Sequence, residues 1–163
     1  MLLSIVVKPT VYIESSVVSY LTAQVSRDLV VAAHQQLTAE WWQQGLPQFE
    51  PFVSSVVLEE IAKGDPEAAK KRMNSVATFG ILEVSPEVRD LAESYFAAIE
   101  MPEKARADAY HLALAVWHGM DYLVTWNCTH IASGKVKLIV QKINAGRGIE
   151  SPIICTPEEL MEV

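Results

Sequence analysis

The chain has 163 residues, half of them apolar, and a formal net charge of −7. The apolar content excludes a disordered chain, and the length suits one domain with a real core, which we expect to span residues 1–163. The acidic balance excludes recognition of nucleic acid by bulk positive charge, although a site built from carboxylates can still recruit a metal ion to meet phosphate.

In the first half of the chain, short apolar runs alternate with stretches of helical periodicity. A serine or an aspartate precedes each helical stretch and is expected to cap it. The predicted elements, in order, are a strand at 11–13, a helix from Ser15 or Ser16 to Thr22, a helix from Asp28 towards Gly45, a strand at 51–53, a helix from Ser54 or Ser55 to Gly64, and a helix from Asp65. The predicted buried faces hold Val30, Ala33, Leu37 and Trp41 in the Asp28 helix and Ala69, Met73, Val76 and Ala77 in the Asp65 helix.

The second half of the chain continues the same alternation. Ser85-Pro86 begins a strongly periodic helical stretch that reaches Ile99, and Thr156 with Glu159 forms a capping box before a terminal helix. The remaining predicted elements are a strand at 81–84, a helix at 103–118, a strand at 121–125, a helix with Val136, Ile139, Val140 and Ile143 on one face before Gly146, and a strand at 153–155.

Strands that alternate with helices predict an α/β sandwich around a mostly parallel sheet. In such a sheet, ligands bind at the carboxyl ends of the strands. Glu14 directly follows the first strand and Asn127 closely follows the fourth. Glu60 lies on the helix after the second strand, and Asp108 lies near the start of the helix before the fourth. We expect the fold to gather these four side chains at one edge of the sheet.

Carboxylates that are brought together repel one another, and a hard divalent cation removes this repulsion. Mg²⁺ and Mn²⁺ take oxygen ligands, and such an ion can activate water and neutralise charge on a phosphate. The residues alone therefore indicate metal-assisted phosphoester hydrolysis. Each residue also has an ordinary structural interpretation: Glu14 as a helix cap or solvated strand end, Glu60 on a solvated helix face, Asp108 as a first-turn helix acid, and Asn127 as a turn residue.

Two cysteines, Cys128 and Cys155, are too few for a disulfide framework or a paired zinc motif. We therefore expect reduced thiols and a cytoplasmic protein. The N-terminal apolar run is short and follows no positive charge, so no signal peptide is expected. No segment has the roughly 18 uninterrupted apolar residues of a membrane span, and no membrane partner is predicted.

Four segments together resemble one protein family. They read VYIESSVVSYL, VVLEEIAKGD, RADAYHLALAVWHGMDYLVTWN and ICTPEEL. Their order and spacing resemble PIN-domain proteins, and among these the VapC-like toxin ribonucleases of type II toxin–antitoxin systems. The resemblance extends from Thr10 to Leu160.

The resemblance implies a three-layer α/β/α sandwich around a five-stranded parallel sheet, and a Mg²⁺- or Mn²⁺-dependent endoribonuclease. It also implies a small antitoxin partner, and the family often forms homodimers. The metal-binding acids fall on Glu14, Glu60 and Asp108, with Glu59 as the rival of Glu60. The fourth position of the site falls on Asn127, and the hydroxyl that follows the first acid falls on Ser15 or Ser16.

The sequence departs from the family pattern at two positions. Glu14 is one methylene longer than the usual Asp, and Asn127 is neutral, so it is either a weak carbonyl ligand or a residue that orients water. Candidate substrate contacts are Ser15, Ser16, His130, Lys63 and Arg106.

His111 lies one helical turn after Asp108 and is interpreted as a packing histidine rather than a ligand. The apolar helices between residues 16 and 45 are candidates for a homodimer face or an antitoxin groove. The leading hypothesis is a metal-dependent endoribonuclease toxin that cuts RNA. The alternatives are a non-catalytic PIN-fold module that binds RNA or a protein, and an aspartyl phosphatase, which is disfavoured because residue 14 is not an aspartate.

Overall fold

The computed structural model describes residues 7–161. Its strands form one sheet in the order β3-β2-β1-β4-β5, and every neighbouring pair is parallel. The carboxyl ends of all strands therefore lie at the same edge, and β1 occupies the centre. The strands are β1 (Thr10–Ile13), β2 (Glu50–Ser54), β3 (Gly80–Leu82), β4 (Tyr122–Val124) and β5 (Ile153–Cys155).

Helices cover both faces of this sheet in a three-layer α/β/α arrangement, which confirms the predicted fold class. Helix α5 packs against α6 and α7, and α1 packs against α2, α3 and α4. The helices are α1 (Ser15–Thr22), α2 (Leu29–Glu40), α3 (Ser55–Ile61), α4 (Pro66–Ser75), α5 (Pro86–Ile99), α6 (Arg106–Trp117) and α7 (Gly134–Gly146).

Most helix starts use the capping side chains that the sequence predicts. The hydroxyl of Ser54 accepts from the backbone N–H of Val57 at 3.1 Å, and Asp28, Asp65 and Ser85 cap their helices in the same way. The first helix differs, because the cap of α1 is Glu14 rather than Ser15 or Ser16. The Glu14 carboxylate accepts from the backbone N–H of Ser16 at 3.0 Å.

The predicted buried face of the second helix is wrong in its first turns, where Val30 and Ala33 are exposed. Gln35 and Thr38 are buried instead because their polar atoms are satisfied. Gln35 bonds the backbone at 2.9 and 3.0 Å, and the Thr38 hydroxyl accepts from the indole N–H of Trp126 at 2.7 Å. Apolar spacing does not reveal such pairings, since a buried polar group needs a partner that is distant in the chain.

Other differences concern helix ends. Helix α4 ends at Ser75, so Val76 is buried in the following turn while Met73 and Ala77 are exposed. The stretch predicted as one helix at 103–118 begins as a 3₁₀ turn, Glu103–Ala105. The predicted terminal helix is a single 3₁₀ turn within the described residues, Glu158–Leu160, although the capping box forms.

Helix α6 is buried nearly all round. Its residues from Ala109 to Val116, with the exception of Tyr110, are buried, as expected for a helix enclosed by other elements. Its first turn carries Asp108 and lies next to the carboxyl edge of the sheet. Within the described part of the chain, no helix is long and apolar enough to cross a bilayer.

We predict that the two cysteines differ sharply in reactivity. Cys128 is exposed, whereas burial raises the pKa of the Cys155 thiol to about 12. At pH 8, the native chain should therefore react rapidly with a thiol reagent at one site, and at two sites in denaturant. The matched control Cys128→Ser should show no rapid reaction while folded; rapid labelling of that variant would contradict the burial of Cys155.

We also predict that Thr38→Val destabilises the chain by about 1–3 kcal/mol, because it leaves the buried indole N–H of Trp126 without its acceptor. Urea unfolding measures this change. Thr22→Val is a matched control, since Thr22 also bonds the carbonyl four residues earlier but accepts from no buried donor; its effect should stay within about 0.5 kcal/mol. Equal losses in the two variants would show that the Trp126 contact contributes nothing.

Candidate active site at the carboxyl edge of the sheet

Glu14 is held at the end of the central strand by three donors. Beside its contact with the Ser16 N–H, it accepts from the Ser16 and Thr125 hydroxyls at 2.5 Å each, and it is only 4% exposed. Thr125 directly follows β4, the neighbour of β1 in the sheet. The carboxylate that ends the first strand is therefore satisfied by its own helix and by the next strand.

Glu60 lies in the last turn of α3 and points towards the same edge. Its Oε1 atom accepts from the Ser15 hydroxyl at 2.8 Å and contacts Nε2 of His111 at 2.5 Å. One third of its side chain is exposed, whereas Glu59 faces solvent. Of the two neighbouring glutamates, the structure directs Glu60 into the cluster.

His111 is fully buried, as a packing histidine would be, but both of its ring nitrogens have polar partners. Nε2 contacts Glu60, and Nδ1 lies 2.6 Å from the hydroxyl of Tyr12. That hydroxyl lies 2.8 Å from the hydroxyl of Ser54, the cap of α3. A chain of hydrogen bonds thus runs through the core from the start of α3 back to its last turn.

Asp108 and Asn127 form the other side of the cluster. Asp108 lies 3.3 Å from Nδ1 of His130, and its side chain is 16% exposed. The side-chain oxygen of Asn127 accepts from the backbone N–H of His130 at 3.0 Å, and the Asn127 N–H donates to the Thr125 hydroxyl at 2.9 Å. Asn127 thereby shapes the loop after β4 and links it to the Glu14 side of the site.

The pKa shifts show that the charges of the cluster act on one another. Burial alone would lower the pKa of His111, but its hydrogen bond to Glu60 and the charges of Glu14, Glu60 and Asp108 raise it. Burial works to raise the pKa of Glu60, but hydrogen bonds with His111 and Ser15 hold it below its ordinary value. Burial raises the pKa of Asp108, and the charge of Glu14 adds to the rise.

The donor set has the chemistry that a hard cation requires. Three carboxylates and one amide oxygen suit Mg²⁺ or Mn²⁺ better than softer metals. Within residues 7–161, however, no three His, Cys, Asp or Glu side chains are already arranged as a metal-binding group. The residues therefore fit such an ion by the type of their donor atoms. In the present rotamers, each carboxylate contacts a serine, threonine or histidine side chain.

The candidate substrate residues fall into two groups. Ser15, Ser16 and His130 each contact one of the carboxylates, and Lys63 is close enough to lower the pKa of Glu60. Arg106 forms the second group, because its polar contacts are with other residues. Its guanidinium pairs with Glu93 and with Glu103 and stacks 3.9 Å above the ring centroid of Phe96.

Sequence reasoning did not include Thr125, Tyr12 and Ser54 among the residues of the site. The position of Thr125, two residues before Asn127 at the end of a strand, could have indicated that it belongs to the site. Nothing in the sequence indicated this for Tyr12, which has the pattern of a strand interior, or for Ser54, which has the pattern of a helix cap.

Comparison with known proteins supports the fold. The structure of the toxin VapC20 from Mycobacterium tuberculosis, which cleaves the sarcin-ricin loop, superposes with a TM-score of 0.58 at 15% identity, covering 74% of this chain and 92% of that one. A structure of VapBC2 from Rickettsia felis bound to a promoter DNA fragment superposes with a TM-score of 0.52 at 13% identity, covering 90% of this chain and 98% of that one. No family model and no curated protein matches the sequence.

These comparisons identify the fold class of the chain. The chain has the three-layer fold of PIN-domain VapC toxins, and the resemblance seen in the four sequence segments is confirmed at the level of the fold. At these identities the likeness concerns the fold alone.

We predict that Asp108→Asn stabilises the chain when metal is chelated. The raised pKa means that folded Asp108 binds a proton more tightly than unfolded Asp108, so its contribution to stability falls as pH rises above about 3.9. At pH 7.5 in EDTA, the melting temperature should rise by roughly 2–4 °C, the change that about 1 kcal/mol produces at this chain length.

Asp90→Asn is the matched control, because Asp90 is exposed and pairs with Arg147 outside the cluster. It should give no increase in melting temperature. A fall for Asp108→Asn would show that the carboxylate is a net structural support rather than a strained group.

Proposed function

We propose that the chain is a metal-dependent endoribonuclease that hydrolyses RNA phosphodiesters and acts as the toxin of a toxin–antitoxin pair. The observation that supports this proposal is the contact of Glu60 with His111, one turn after Asp108 on α6, at the edge where Glu14 follows β1. The charges of all three carboxylates raise the pKa of His111. Clustered buried carboxylates are costly, and a cation at a ligand-binding edge gives them a reason to be there.

In this proposal, Glu14, Glu60 and Asp108 hold Mg²⁺ or Mn²⁺, and Asn127 completes the site. When bound, the ion would supply Lewis-acid polarisation and charge neutralisation at a phosphodiester. Thr125, Ser15 and Ser16 orient the carboxylates through the hydrogen bonds described above.

The proposed RNA surface surrounds this cluster. His130, next to Asp108, and Lys63, near Glu60, lie where a phosphate can meet a donor. The hydroxyls of Ser15 and Ser16 lie at the same edge. Arg106 belongs to the rim of this surface, where its contact with phosphate competes with Glu93 and Glu103.

The proposed partners are a small antitoxin and a second copy of the chain. Val25, just before α2, and Leu29 and Val30, in its first turn, expose 84%, 85% and 65% of their surface. Such apolar exposure is typical of protein contact surfaces. The similarity to VapBC2 also supports an antitoxin partner. A toxin that cuts cellular RNA acts in the cytoplasm, which is the location we propose.

A second candidate function is a non-catalytic module that binds RNA or a protein. Glu14 favours it, because this residue caps α1 and accepts from Thr125 without any need for metal. Asn127 favours it as well, since its side-chain oxygen already accepts from the His130 backbone. Both residues have complete structural roles, whereas Glu60 does not.

The neighbouring glutamates give the sharpest test. We expect purified wild-type chain to cleave structured RNA in the presence of Mn²⁺ or Mg²⁺ and not in EDTA. Glu60→Gln should lower the cleavage rate at least ~100-fold, because it weakens an electrostatic interaction at the reacting phosphate. Glu59→Gln removes the same charge one residue away on the solvent face and should cleave like wild type.

Equal activity of Glu60→Gln and Glu59→Gln would contradict the proposed site. Binding of RNA without cleavage under any metal condition would instead favour the non-catalytic module. Gel analysis of an end-labelled RNA and a parallel filter-binding assay distinguish these results.

A further inference from the structure

We propose that His111 is a positioning residue that fixes the Glu60 carboxylate, so that one oxygen is held by the protein and the other faces the site. This inference extends the proposed function, because it assigns a role to a residue that the metal-binding set does not contain. Three geometric observations support it: the contact with Glu60, the chain of hydrogen bonds behind the ring, and the location of Glu60.

Within the described chain, the protein contacts only one of the two carboxylate oxygens of Glu60. Both His111 and Ser15 contact Oε1, at 2.5 and 2.8 Å. No donor among residues 7–161 contacts Oε2. Two donors on one oxygen restrict the rotation of the carboxylate and leave the other oxygen available to an external ligand.

The ring of His111 is itself fixed from behind. The Val57 N–H donates to Ser54, and the Ser54 hydroxyl can donate to Tyr12, whose hydroxyl then donates to Nδ1 of His111. Nε2 then carries the hydrogen that is donated to Glu60. Behind Glu60, the side-chain polar atoms of Ser54, Tyr12 and His111 all have partners, and these three residues are fully buried.

The contact between Nε2 and Glu60 does not depend on the charge of the ring, although a protonated ring would donate from Nδ1 to the Tyr12 hydroxyl. A neutral ring with hydrogen on Nε2 donates to Glu60, and so does a protonated ring. The positioning role therefore follows from the location of the ring between Tyr12 and Glu60, 51 positions away from Glu60 in the chain.

The location of Glu60 explains why it needs support. It lies in the last turn of a seven-residue helix, with one third of its side chain exposed. A glutamate at such a place retains considerable rotamer freedom, and ordering it costs free energy at the moment of ligand binding. A buried donor removes much of this freedom in advance. Hydrogen-bonded partners behind metal ligands act in this way, and their loss typically weakens metal affinity 10–100-fold.

The test compares His111→Leu, which removes the donor, with His111→Gln, whose side-chain amide places an N–H near the position of Nε2. Crystal structures of the metal-free variants report the orientation of Glu60, and calorimetric titration with Mn²⁺ reports affinity. We expect His111→Leu to displace the Glu60 carboxylate and to weaken Mn²⁺ binding about 10–100-fold. His111→Gln should keep the orientation and bind within about 3-fold of wild type.

Tyr12→Phe provides a second route if His111→Leu does not fold. It keeps the aromatic ring in the core and removes only the hydroxyl, which is the partner of Nδ1 and of the Ser54 hydroxyl. It should give Glu60 a second orientation and a several-fold loss of affinity. An unchanged Glu60 together with unchanged Mn²⁺ affinity in the folded variants would overturn the inference. If wild type binds no Mn²⁺, the proposed function fails, while the metal-free structures still decide whether His111 positions Glu60.

Discussion

The hydrogen bond between His111 and Glu60 is the contact on which the candidate site depends. It joins the most enclosed helix of the fold, α6, to a glutamate at the end of a short surface helix. It also places the ring near three carboxylates, whose charges raise the pKa of His111. The ring fixes one of these carboxylates through the contact with Nε2.

The sheet order makes this contact possible. Because β1 is central and pairs with both β2 and β4, the residues that follow these strands meet at one edge. Glu14 follows β1 and accepts from Thr125, which follows β4. Helix α3 follows β2 and brings Glu60 to the same place. Helix α6 then needs only to pass over the sheet with its first turns at that edge to add Asp108 and His111.

Sequence reasoning predicted the parallel α/β architecture because strand and helix periodicity are local signals, and capping residues such as Ser54 and Ser85 mark helix starts reliably. It selected the acidic residues because their positions relative to strand ends were visible. It did not predict the links between them. The contact of Tyr12 with His111 joins residues 99 positions apart, and nothing in either local pattern indicates that they meet. The sequence left the cap of α1 open between a serine and Glu14, and the structure selects Glu14. Serine is the more usual cap, so local preference alone does not decide between them.

Glu14 and Glu60 differ in how much of their structure a helix cap explains. Glu14 first attracts attention, since a charge follows a buried strand, but its cap role and its hydrogen bond with Thr125 account for its burial and its three donors. The pair between the buried His111 and the partly exposed Glu60 is different, because a buried charged pair adds little net stability over apolar residues of similar size. The pair between Glu60 and His111 therefore argues for function more strongly than the glutamate at the strand end.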